Sequence, residues 1–120
     1  MIQAIQDYIS ELYPEMTFGQ IQDDHDNIFN MNIYDTGNNP FFKDGKTHIF
    51  NINLFIRDTS FEGMQLNNEK VCNSLNKIYD INISNIHIVD TNKRSSQEPT
   101  RDEKNRYGIH STFEMLVEEV

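Results

Sequence analysis

The chain has 120 residues, 37% of them apolar, and a formal net charge of −9 with ten lysines and arginines in all. That length makes one ordinary domain, 1–120, with a modest core that contacts between subunits would usefully supplement. A nucleic-acid-binding module is set aside on charge, because gripping phosphates needs a basic face that releases counterions.

Met1 to Asp7 has no positive segment and no long apolar run, so it does not read as a signal peptide. Nowhere does the chain approach the roughly 20 apolar residues of a membrane span. The expectation is synthesis in the cytoplasm and no membrane partner. Ile2, Ile5, Ile9 and Leu12 recur at three- and four-residue steps, flanked by Tyr8 and Tyr13. This predicts an amphipathic helix, and Pro14 ends it by biasing Tyr13 away from helical angles. A short strand is expected over Thr17 to Gln22.

Asp23-Asp24-His25-Asp26 is the one cluster of candidate metal ligands. Four adjacent residues cannot all point inward, and no second cluster completes a site. The cluster therefore reads as an acidic turn, and no metal or cofactor is expected.

Two strongly alternating segments follow. Phe29, Met31 and Ile33 share one face opposite Asn30 and Asn32; Phe50, Ile52, Leu54 and Ile56 share one face opposite Asn51 and Asn53. Both are half-buried strands, most naturally antiparallel. The amides on their polar side either face water or line a subunit contact or central opening, where they can bond without a counter-charge. Between the strands, Asp35 to Lys46 holds Gly37, Asn38, Asn39, Pro40, Asp44 and Gly45. This connection is too long for a tight hairpin and rich in turn formers.

Ser60 is a candidate cap for a second helix running to about Tyr79, with Met64, Val71, Leu75 and Ile78 as its buried stripe. Cys72 lies beside that stripe as a small buried hydrophobe. Being alone, it can form no intramolecular disulfide, which fits a reducing compartment. Ile86 to Val89 reads as a strand. Thr91 to Arg106 is almost devoid of apolar residues and is expected to be a long mobile loop. Tyr107, Ile109, Ser111, Phe113, Met115 and Val117 alternate into a last strand. His48, His87 and His110 fall in or beside strands, and their spacing does not bring them together, so each reads as a structural histidine.

The predicted class is α+β: two layers, a mostly antiparallel β-sheet with two helices packed on one face, and long loops projecting. Charge is unevenly spread. No Lys or Arg precedes Lys43, whereas Asp7, Glu11, Glu15, Asp23, Asp24, Asp26 and Asp35 do. Lys93, Arg94, Arg101, Lys104 and Arg106 then crowd into one segment. The distribution is either solvated surface or a pair of complementary faces that meet head to tail.

With this element order, Ile33-Tyr34-Asp35-Thr36-Gly37-Asn38-Asn39-Pro40 is a strand running into a Gly/Asn/Pro loop. Pro99-Thr100-Arg101-Asp102-Glu103-Lys104-Asn105-Arg106-Tyr107 is a charged turn leading into the last strand. Over nearly its full length the chain resembles the tail terminator (tail completion) proteins of long-tailed phages, a group also labelled minor capsid proteins. The charged turn is the more specific segment, although Thr100 and Asn105 stand where such proteins often carry glycine.

The resemblance implies a non-enzymatic virion protein, assembled in the host cytoplasm, that forms a hexameric ring on the end of the tail tube. Such a ring stops tube growth and docks the head. The implied partners are further copies of the chain, the tail tube protein and a head completion or connector protein. DNA would pass through without specific binding, repelled by an acidic wall. Two contact regions follow from it. One is Asn38, Asn39, Pro40, Phe41 and Phe42, a projecting arm with paired aromatic anchors unless the loop folds back on the core. The other is Arg101, Asp102, Glu103, Lys104 and Arg106, unless these form disordered surface. The rival readings are another neck component of the same virion, a small metal-dependent hydrolase using Asp23 to Asp26, and an unrelated monomeric binding domain.

Overall fold

The computed structural model describes residues 1–21, 24–36 and 46–120. Helix α1 spans Ile2–Leu12 and buries Ile5 and Ile9. The stripe stops one step early: Leu12 is 47% exposed, and Tyr13 turns inward in its place. With Pro14 behind it, Tyr13 adopts extended angles (φ −136°, ψ 87°). That geometry sends its hydroxyl to Ser74 Oγ at 2.6 Å. Helix α2, Phe61–Asn76, begins where Ser60 Oγ accepts the Gly63 N–H at 2.9 Å. It buries Met64, Asn68, Val71, Cys72 and Leu75.

The strands are β1 (Thr17–Phe18), β2 (Ile28–Asp35), β3 (Thr47–Asp58), β4 (Ile81–Ile83), β5 (Ile86–Ser96), β6 (Thr100–Arg101) and β7 (Tyr107–Glu119). They form one sheet in the order β1-β2-β3-β7-β5-β4, with β6 also beside β7. All pairings are antiparallel except β1 with β2. Ile52 faces Ile33 on one side and Phe113 on the other, and Leu54 faces Met31 and Ser111. The expected alternation thus becomes a continuous apolar face through the sheet centre. Ile5 and Ile9 of α1 and Met64, Val71 and Leu75 of α2 join that same core. The two-layer α+β class holds, with both helices on one face.

The expectation for Thr91 to Arg106 does not hold. β5 continues to Ser96, β6 takes up the pairing at Thr100, and both lie along β7 as the incoming arm of one long hairpin. The segment carries no apolar face because Asn92 to Arg101 are all exposed at the sheet margin. The backbone ladder and polar cross-strand pairs hold it instead. Ser95 and Ser96 hydroxyls lie 2.8 and 3.0 Å from those of Thr112 and Ser111. β1 is also shorter than expected, ending at Phe18. β4 was not anticipated: it is a three-residue strand bracketed by Asp80 and Ser84, both in left-handed backbone (φ 52° and 53°). Among the described residues no helix is long and apolar enough to cross a membrane.

Candidate functional site

The charged turn between β6 and β7 is the most organised polar feature of the described chain. Asp102 builds it: its Oδ1 accepts the N–H groups of Lys104 and Arg106 at 2.9 and 3.0 Å. Its own N–H donates to the Arg106 carbonyl at 2.9 Å. Asn105 closes the turn in left-handed backbone (φ 61°), the conformation that glycine accepts freely and asparagine tolerates. Glycine would meet the same backbone requirement at this position.

Arg106 then leaves the turn for the open side of the sheet, where its side chain is only 6% exposed. Nε donates to Asp102 Oδ2 at 2.8 Å, Nη2 to Asp24 Oδ1 at 2.8 Å and Nη1 to the Asp24 carbonyl at 2.8 Å. Lys104 forms a second ion pair with Asp24, and Asp26 approaches Arg106 Nη1 at 3.7 Å. Hydrogen bonds from Lys104 and then Arg106 hold the Asp24 carboxyl down from its ordinary 3.8 to about 2. Asp102 is lowered chiefly by the backbone N–H of Arg106, and Arg106 is raised chiefly by Asp24. The acidic segment and the basic segment, read from sequence as separate patches, thus meet within one chain. They strap residues 24–26 to the hairpin.

What remains on the outer surface of the turn is Arg101, Glu103 and Lys104. Arg101 donates to Asn105 Oδ1 at 2.7 Å and lies over the Tyr107 ring at 5.7 Å. Asn38, Asn39, Pro40, Phe41 and Phe42 lie outside the described residues, as does Asp23.

The sheet face away from the helices carries Asn32, Tyr34, Asn51, Asn53 and Thr112. They line a pair of adjoining shallow clefts with Tyr34 and Asn53 common to both. Charge at its centre is self-balanced: Arg94 bonds Glu114 at 2.5 Å. Asn30 departs from the water-facing expectation. It is buried, accepts from Thr17 Oγ1 at 2.8 Å and donates to the Gly19 carbonyl at 3.0 Å, which pins β1 to β2. Phe55 is 8% exposed on this face, covered by His110 at 4.6 Å between ring centroids. Gly108 makes room for it, since a Cβ there would stand 2.8 Å from the Phe55 ring. Phe55 interrupts the alternation of Asn51 and Asn53, and nothing in the sequence pattern marks its pairing with His110.

The three strand histidines keep separate company. His48 sits between Asp35 and Glu119 at 3.6 and 3.5 Å, His87 lies 3.2 Å from Asp80, and His110 packs on Phe55. Burial raises the Cys72 thiol above its ordinary value, which disfavours a reactive thiolate. Among the described residues no group of three or more His, Cys, Asp or Glu side chains is placed to hold a metal ion.

No family model matches the chain, and no curated protein matches it. Among solved structures it is similar to a chain from the virion of a native gene transfer agent particle. The two share 13% sequence identity and a TM-score of 0.64 over 98% of this chain and 90% of that one. The likeness is one of fold.

Proposed function

We propose that this chain is a structural subunit of a phage-type virion, a tail terminator that closes into a ring at the head-proximal end of the tail. There it stops the tube growing and offers a docking face to the head completion or connector protein. The observation that carries this reading is the end-to-end likeness of fold to a virion chain. The architecture suits the task. A small subunit with open sheet edges can join copies of itself head to tail, and such contacts close when the rotation divides a full turn. Its work is geometric and needs no bond-making step.

A ring that passes DNA must not hold phosphate. The amide face of Asn32, Asn51 and Asn53 offers no net charge to do so, which suits it to line the opening. Asp7 and Glu11 on α1 remain available for the acidic wall, whereas Asp24 is engaged by Lys104 and Arg106. Arg101, Glu103 and Lys104 are proposed to meet a neighbouring subunit or the tail tube, with Asp102 and Arg106 holding the turn in shape. Asn38, Asn39, Pro40, Phe41 and Phe42 are proposed to contribute a further subunit contact.

The test is negative-stain imaging of the purified chain mixed with tail tubes and, separately, with the portal side of heads. A terminator caps one end of each tube. Binding to the portal side without capping tubes would assign the chain to the head side of the neck instead.

A further inference from the structure

The outer edge of β5 and β6 and a cleft beside β1 stand at opposite ends of the sheet order. We propose that they are the two halves of one head-to-tail contact between copies of this chain. The inference rests on the ring reading above and names the surfaces that close it.

β4 covers β5 only at Ile86 to Ile88. From Asp90 to Arg101, β7 lies on one side and no other described strand lies on the other. The N–H of Gln97 is bonded to the His110 carbonyl at 2.9 Å. Inward and outward groups alternate along an antiparallel strand, so the N–H and C=O of Ser96 point away from β7. They form a template for an added strand. Register shifts at Val89 and Arg94 interrupt the edge and select against a flat, arbitrary strand. With Arg94 paired to Glu114, the edge is still basic through Lys93 and Arg101 against Glu98 from Asn92 to Arg101.

At the other end, β1 is an outermost strand two residues long. A cleft of about 310 Å³ opens beside it, lined by Glu15, Thr17, Ile21, His25, Ile28 and Phe29 among others. Apolar walls with a carboxylate among them suit a lysine or arginine, whose stem packs while its head reaches the acid. Two basic edges repel each other, and two clefts each presenting Glu15 offer each other no opposite charge. The favoured contact therefore joins unlike ends, which is the heterologous geometry a ring requires.

The experiment measures the assembly state of the full chain by native mass spectrometry and light scattering. The variants are Lys93→Glu, Glu15→Lys, the two reversals combined, and Ser96→Pro with Ser96→Ala as its control. Each single reversal is expected to weaken association about ten-fold or more, and the combined reversal to regain most of it. Ser96→Pro removes an outward N–H and leaves the backbone ladder to β7, but it also loses the Ser96–Ser111 hydroxyl contact. Ser96→Ala loses that contact alone, so proline is expected to lower association and alanine to leave it unchanged. If the wild type assembles and every variant assembles equally well, the contact lies elsewhere and the ring reading survives without this inference. If the combined reversal is as defective as the single ones, the charge pairing is wrong. A wild type that stays monomeric at all concentrations removes both.

Discussion

Arg106 shows how one side chain can decide what a charged segment does. Its guanidinium is consumed by Asp24 and Asp102, so the turn is a fixed object rather than a mobile chain. The carboxyls of Asp24 and Asp102 are held below their ordinary value, so both favour the folded state above about pH 4. That contribution is lost as pH falls, for Asp24 through about 2. Urea midpoints measured between pH 5 and pH 2 should fall in the wild type, and Asp24→Asn should flatten that part of the profile. An unchanged slope in Asp24→Asn would remove the strap from the description. Core and packing residues give a different signature, independent of pH. Phe50, fully buried at the sheet centre, should cost about 3–5 kcal/mol on replacement by alanine. Gly108→Ala should cost about 1–3 kcal/mol, because its methyl group collides with Phe55. Equilibrium denaturation checks both.

At the scale of elements, the hairpin of β5, β6 and β7 separates what could be read in advance from what could not. Hydrogen exchange of the unassembled chain should find the Gln97 amide protected by its bond to His110 and the neighbouring Ser96 amide fast. Uniformly fast exchange from Asn92 to Arg101 would restore the mobile loop. β2, β3 and β7 were legible because each buries alternate residues, so Met31, Ile52 and Phe113 announce their face. Both helices were legible from Ile5, Ile9, Val71 and Leu75. The Ser60 cap was also legible, and Ser60→Ala should destabilise the chain by about 1 kcal/mol. The margin strand was not, since Lys93 to Arg101 bury nothing and leave no periodic trace. The Asp24–Arg106 strap was hidden for another reason. Its members are 82 positions apart, and the strand order brings them together by setting the starts of β2 and β7 on either side of Arg57. Likewise Asn30, placed by alternation on a wet face, is buried beside β1, where Thr17 and Gly19 take up its amide.

For the whole molecule, the central claim is that this chain acts through shape and self-association. The fold alone is shared with a virion chain, and a fold can host many tasks. The amide face, the open basic edge and the cleft beside β1 are the features on which the proposed ring rests. Native mass spectrometry of the full-length chain across a wide concentration range tests this most directly. A ring-forming subunit gives one closed oligomer of fixed stoichiometry, with free monomer giving way to it as concentration rises. A single monomer peak throughout, with no higher species at the highest concentration, would contradict it.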